Sequence, residues 1–322
     1  MGKLIRQLLP FGSLLLIVCI LAALRPDTFL TLDNFLNVLR RSSVYGIIAV
    51  GMTFVIISGG IDLSVGSMLA VCGMIGAWLM EAGGSITGTI AGIAAGLLCG
   101  LINGILITRF RLQPFIVTLG TMSFFRGIAL VMKDGQPINV PDYKYLGEGM
   151  IIGAPVSVLI FAAVIIIAMM ILKYTPLGRY TYVIGSNREA AFHAGVRVGK
   201  NLTWIYTIVG LLVGIAAMIQ VSRTVSAQPT AGLGLELDVI AAVVIGGASL
   251  SGGQGTITGT IIGTLLISFL RNGCTMLGIS TNAQLIVIGI IIVVAVAVDQ
   301  LAQTRTKNRG ITPRKLMSRQ AS

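Results

Sequence analysis

Charge is what this sequence most lacks. Of 322 residues, 23 are Lys or Arg and 11 are Asp or Glu, so 11% of the chain is charged, where soluble domains carry about 25%. A soluble fold of this size needs more polar surface than that, and a mean hydropathy of +0.94 points to a membrane protein. Histidine is nearly absent. His193 stands alone, which excludes multi-histidine metal centres and histidine relays. Four cysteines, Cys19, Cys72, Cys99 and Cys274, lie mostly in apolar runs without CxxC spacing, so neither a zinc site nor a disulfide framework is expected. The phosphate-cradling loop of ATPases is missing as well: Gly199-Lys200 is followed by Asn201, and Ala194 stands where the first glycine belongs. No cofactor is expected. Nor is an enzyme, because no clustered nucleophile, His pair or carboxylate pair is visible.

Apolar length is what the chain has. A helix needs about 20 apolar residues to cross a bilayer, and ten segments read as spans: 8–24, 43–59, 66–81, 86–108, 114–132, 155–173, 203–222, 237–250, 255–271 and 283–300. The third and eighth are short and flanked by glycine. The expected fold is an all-α integral membrane protein of about ten transmembrane helices, with a polytopic domain over 1–303 and a basic tail over 304–322. Lys3 and Arg6 before the first apolar run suggest a signal peptide, but Leu24-Arg25-Pro26 offers no small-x-small cleavage site, so an uncleaved span is expected. With the amino terminus inside, the inner segments carry Arg109, Arg111, Lys173, Arg179, Arg188, Arg197, Lys200 and six tail cations, against only Asp62, Glu189 and Asp299. The outer segments are close to neutral. The net charge of +12 is thus a topology signal that puts both termini in the cytoplasm, and nucleic acid is not the implied partner.

Glycine punctuates these spans. Gly84, Gly88, Gly92, Gly96, Gly100 and Gly104 form a strict four-residue ladder, a ridge that lets a neighbouring backbone approach closely. The ridge is read as static packing or as a surface that slides. Two glycine-rich interruptions, 59–66 and 246–253, match at five of eight positions and suggest broken helices in duplicated halves, parallel or inverted. Asp62 in the first is either a functional intramembrane acid or, with Ser64, a cap for the following helix. Arg126, after Phe124 and Phe125 and near Gln113, Thr118 and Thr121, either contacts a sugar or snorkels outward. Glu236 and Asp238 are expected as solvated charges, or as partners of an external protein or of Arg223.

The loop 174–202 carries the most specific pattern. Ser186 and Glu189 form a capping box, Ala190 and Ala191 favour helix, and Gly195 is placed to end it. One short surface helix of about two turns is expected, its alanines leaving room to seat in another protein's groove. A merely capped loop helix fits the same pattern, with His193 a surface residue.

Glu189-Ala190-Ala191 followed by Gly195 resembles the EAA-loop signature of ABC importer permeases, although the Leu-Pro of the general signature is absent, Thr207 and Ile208 standing there. Ala49-Val50-Gly51-Met52-Thr53, Gly60-Ile61-Asp62-Leu63-Ser64-Val65-Gly66-Ser67, Pro114-Phe115-Ile116-Val117-Thr118-Leu119-Gly120 and Ala241-Ala242-Val243-Val244-Ile245-Gly246-Gly247 are similar to permeases of bacterial ribose-type monosaccharide importers. The similarity runs in order from about residue 28 to 300. It implies a multi-pass inner (plasma) membrane subunit and a second permease copy, identical or closely related. It also implies a cytoplasmic ATP-binding subunit, an extracytoplasmic sugar-binding protein and alternating access. Gly178, Arg179, Gly185, Ser186, Asn187, Glu189, Ala190, Ala191 and Gly195 would then form the ATPase-coupling segment. Asp62, Ser64, Asn103, Thr118, Thr121, Phe124 and Arg126 are the candidates for the path. Permeases for autoinducer-2 or nucleosides stay open within the class, as does an ion-driven secondary transporter outside it.

Overall fold

The computed structural model describes residues 2–280, 282–291, 293 and 297, with side chains from Phe11 onward except Ser13. The basic tail 304–322 and much of the predicted span 283–300 lie outside the described residues. Helices α1 (Gly2–Leu24) and α2 (Pro26–Phe29) precede α3 (Leu32–Ile57), α4 (Val65–Arg109) and α5 (Pro114–Val131). A polar region follows, with β1 (Ile138–Asn139), α6 (Tyr145–Glu148), β2 (Met150–Ile151) and β3 (Ala154–Pro155), and leads to α7 (Val156–Tyr174). Then come α8 (Pro176–Ser186), α9 (Arg188–His193), α10 (Val198–Thr224), β4 (Ser226–Ala227), α11 (Leu235–Ile245) and α12 (Ile257–Met276), with Asn282–Ile291 also helical. The strands make only two minimal antiparallel pairs, Ile138 opposite Ala227 and Met150 opposite Pro155. Among the described residues six helices are long and apolar enough to cross a membrane: α3, α4, α5 with its terminal turn, α7, α10 and α12.

Local chemistry sets the boundaries. Proline occupies the first position of α5 and α8, where its missing N–H costs nothing. Thr31, Thr175 and Thr256 cap α3, α8 and α12, each side chain accepting from an amide of its first turn. Helix α3 is the core: Ile47, Ile48, Ala49, Val50 and Met52 are fully buried, and Thr53 Oγ1 meets Thr260 Oγ1 of α12 at 2.7 Å. Helix α7, in contrast, turns Ile166, Ile167 and Met170 outward, as a lipid-facing helix does.

The predicted spans 66–81 and 86–108 are the two arms of α4. Gly84 (φ +80°, ψ 175°) breaks the helix between them, and the chain folds back on itself. A Cβ on Gly76 would lie 3.0 Å from Gly88 O, and one on Gly92 would lie 3.0 Å from Cys72 O. Gly84 is thus the turn and meets nothing within 4 Å, which corrects its place in the packing ridge. The remaining glycines meet close neighbours, backbone throughout and, at Gly88 and Gly92, also the side chains of Met80 and Met218. Gly88 and Gly92 face the first arm, while Cβ atoms on Gly96, Gly100 and Gly104 would lie 2.8 Å from Gly214 Cα, 2.8 Å from Gly210 Cα and 2.9 Å from Thr203 Cα of α10. No side chain fits there.

Helix α11 is shorter than the predicted span 237–250. Its 11 residues extend about 16 Å, half a bilayer core, because the chain enters the bundle in non-helical form before α11 begins. It does so twice, from opposite ends. Residues 58–64 enter beside α8, residues 228–234 enter beside the β1–β4 pair, and they meet midway. There a Cβ on Gly66 would lie 2.6 Å from Glu236 Oε2, and one on Gly232 (φ +70°) would lie 3.1 Å from Gly66 Cα.

Candidate functional site

Helices α8 and α9 form the most exposed structured element at one end of the bundle. Thr175 starts α8 by accepting from Gly178 N at 3.3 Å, and Gly178 lies so close to α7 that a Cβ would sit 2.5 Å from Leu172 Cα. Arg179 points to the surface. Ser186 is the last residue of α8, and the cap of α9 is Asn187, whose Oδ1 accepts from Ala190 N at 2.9 Å. The expected Ser186–Glu189 capping box is therefore displaced by one residue, because Asn187 has the extended backbone (φ −160°, ψ 107°) that a cap needs. Gly195 follows with φ +79°, the left-handed residue that ends the helix. Ala191 is buried against the bundle, while Arg188, Glu189, Ala190, Phe192, His193 and Ala194 face outward. Phe192 is 69% exposed and stacks edge-on against His193. It joins the expected residues of this exposed face, and its signal in the sequence is an aromatic within a short helix otherwise small or charged.

Behind α8 the two predicted glycine interruptions converge. Gly185 sits against Ile57 O and within Cβ reach (2.6 Å) of Gly253 N, and Gly253 N donates to Ile57 O at 2.8 Å. Gly252 lies against Gly59. Tyr182 Oη donates to Gly255 O at 2.9 Å; burial pushes its phenol above the ordinary range, so it remains a donor. One short helix therefore touches the end of α3 and the α11–α12 break together, through backbone.

Above this contact lies a buried polar group of four. Asp62 Oδ1 accepts from Ser64 N at 2.9 Å and Ser64 Oγ at 2.6 Å, while Ser64 Oγ accepts from Asn103 Nδ2 at 2.8 Å. Asp62 thus turns the chain ahead of α4 and does not bond an amide inside it; Ser64, the N-cap, makes no side-chain cap bond. Asp62 Oδ2, Asn103 Oδ1 and the hydroxyl of fully buried Tyr206 have no partner. A Cβ on Gly60 would lie 2.6 Å from Tyr206 Oη, which puts that hydroxyl beside the same segment. Thr118 Oγ1 donates to Ile61 O at 3.2 Å and holds the segment from α5, and Thr121 Oγ1 bonds back to Thr118 O.

The other path candidates lie elsewhere. Phe124 is 60% exposed on the bundle surface. Arg126 does not snorkel freely: its Nη1 donates to Pro229 O at 2.6 Å and Ala231 O at 2.8 Å, pinning the second inward segment. Beside that turn lies a cavity of about 270 Å³ with Gln220, Thr224, Gln228 and Thr230 on an apolar floor that includes Leu69 and Ala217. Polar residues at 220, 224 and 228 recur every four positions, a signal available in sequence. Asp238 corrects an expectation too. It is buried, not solvated, and its partner is Arg271 and not Arg223, with Arg271 Nη2 donating to both carboxylate oxygens at 2.9 and 2.7 Å. Among the described residues no group of three or more His, Cys, Asp or Glu is placed to hold a metal.

With this geometry in hand, comparison with known proteins is decisive at the level of family. Residues 34–296 match the family described as the permease component of the branched-chain amino acid transport system. The chain is 47% identical over 300 residues to a ribose import permease protein of Bacillus subtilis (strain 168), covering 92% of this chain and 93% of that one. It is 42% identical to the ribose import permease protein of Haemophilus influenzae, covering 94% and 96%. Against the D-allose transport system permease protein of Escherichia coli (strain K12) it is 38% identical, covering 90% of each. No solved structure matches. Six apolar helices and near-complete coverage of these relatives agree: the chain belongs to the permease family of ABC importers and is a multi-pass membrane subunit of the ribose-type branch.

Proposed function

We propose that this chain forms the translocation path of an ATP-driven importer for a monosaccharide, ribose being the first candidate from its relatives' names. Two permease copies work with a cytoplasmic ATP-binding subunit, which docks on α8–α9, and with an extracytoplasmic sugar-binding protein. The carrying observation is that Gly185 of α8 touches both Ile57 O and Gly253. Movement of α8 by a closing ATPase is thereby applied to two helix ends at once, the arrangement alternating access requires. The 270 Å³ cavity is smaller than the roughly 300–1,000 Å³ of drug-sized ligand sites, suited to one small polyol, and the Asp62–Ser64–Asn103 group lies between it and the α8 end. The inward segments entering from opposite ends and meeting at Gly66 and Gly232 support an inverted repeat in which residues 60–65 correspond to 234–239, in place of the pairing of 59–66 with 246–253. The ten-span topology, both termini on the ATPase side, completes the reading.

The test is uptake of labelled ribose by vesicles containing permease, ATPase and binding protein. Glu189→Lys alters an exposed side chain, so the chain remains in the membrane while uptake falls at least about tenfold and ATPase activity loses its dependence on the loaded binding protein. Undiminished uptake in that variant, or transport by the purified chain alone on an ion gradient, overturns the reading.

A further inference from the structure

At the end of the bundle opposite α8, cations gather where the sequence can least justify them. Arg40 and Arg41 of α3 and Arg223 of α10 line one cavity of about 450 Å³ together with Asn34, Asn272 and Thr275. A second cavity of about 140 Å³ shares Arg41, Asn272 and Thr275 and adds Arg271. The described residues contain two side-chain ion pairs, Lys133–Glu81 and Arg271–Asp238, so Arg40, Arg41 and Arg223 have no carboxylate within pairing distance. Glu148 is exposed at the rim. Their hydrogen-bonding is also incomplete. Arg40 Nε, Arg223 Nη1 and Arg271 Nε are buried and have no acceptor, and Arg40 Nη1 reaches only Asn37 Oδ1 at 3.5 Å.

A buried guanidinium N–H without an acceptor is costly, and three like charges around one space repel, unless an anion lies between them. The number and shape of the donors select the anion. A carboxylate neutralises one guanidinium, whereas the oxygens of a phosphate accept from several forks at once. The space exceeds what a lone carboxylate fills. Depth is informative as well: from Ile57 beside α8, the helix rises about 25 Å to Arg40 at about 1.5 Å per residue, close to the far edge of a hydrocarbon core about 30 Å thick. We propose that Arg40, Arg41 and Arg223, beside the mutually hydrogen-bonded Asn34 and Asn272, form a binding site for a phosphate-bearing anion, a phospholipid headgroup or a free phosphate.

The full-length chain is purified in detergent, exchanged into nanodiscs of equal phosphatidylglycerol and phosphatidylcholine, and the lipid it retains is read by native mass spectrometry. In a separate arm, its melting temperature is followed with inorganic phosphate against chloride at matched ionic strength. Arg41→Gln, an exposed and fold-tolerant change, and Arg223→Gln are compared with Lys133→Gln, a cation away from the cavity. Retention of phosphatidylglycerol that falls about tenfold in the arginine variants alone supports the site with a lipid headgroup as source. A phosphate-specific rise in melting temperature lost in those variants supports it with free phosphate as source. If Arg41→Gln leaves both readouts as in the Lys133→Gln control, the proposal is overturned. It is equally overturned if only affinity for a sugar-binding protein changes, since that assigns the arginines to an acidic protein surface.

Discussion

Asp62 and Asp238 are the two acidic side chains buried among the described residues, and the fold satisfies them by opposite means. Asp62 has no cation. It is held by one amide and one hydroxyl of Ser64, two residues away, and leaves Oδ2 open. Asp238 gives both oxygens to Arg271, which lies one helix and 33 positions further along. Each acid sits near the point where an inward segment becomes a helix, α4 or α11. The first segment is therefore restrained by hydrogen bonds without a cation, its own turn at Ser64 joined by Thr118 of α5 and Asn103 of α4, and the second by charge, from Arg271 and from Arg126. Both segments are thus tied to α5, but single hydrogen bonds from a hydroxyl and an amide hold the first less firmly than two guanidinium groups hold the second.

Four substitutions bear on this difference. Asp238→Ala should be the most damaging, since it strands Arg271 in the bundle at a cost of about 3–5 kcal/mol; the melting temperature of the purified chain should drop sharply, and Asp238→Leu with Arg271→Met should recover most of it. If the double change is no better than the single one, the pair is not what satisfies Asp238. Gly66→Leu comes next. It pushes the two segments apart against Gly232 and Glu236 and should cost about 1–3 kcal/mol, with hydrogen exchange rising in both segments at once. Exchange confined to one of them would show that they do not bear on each other. Arg126→Met removes two charge-assisted bonds, each worth at most about 1.5–3 kcal/mol and less at a part-buried site, and should loosen 228–232 while sparing 58–64. The mildest is Asp62→Asn, which keeps an acceptor for Ser64 and should change stability by a few tenths of a kcal/mol. A loss as large as that of Asp238→Ala would mean that the Asp62 charge itself has a partner.

The sequence revealed local devices well and distant pairings poorly. The α8–α9 loop was legible in part: helix formers and Gly195 mark α9 within a few residues, but its cap is Asn187 and not Ser186, and the 11-residue α8 before it is a second helix where only one was expected. The glycine ladder was legible from its spacing, except that periodicity cannot distinguish a packed glycine from Gly84, whose positive φ makes it a turn. Asp238 was misread as solvated because its neutralisation depends on α11 and α12 lying antiparallel, which no window of sequence contains. The span 237–250 extends too far because hydropathy records apolar length: Ala248 and Leu250 continue the apolar run after the helix has ended at Ile245 and Gly247 (φ +92°) has turned the chain.

The backbone contact of Gly96, Gly100 and Gly104 with α10 has a mechanical consequence. Helices that touch main chain to main chain at three successive turns leave no side chain between them, and under the proposed coupling to an ATPase this pair would serve as a fulcrum. Displacement delivered at Gly185 would then pivot about it, and the lever arms are the short pieces on either side: the end of α3, the first turns of α4, and α11.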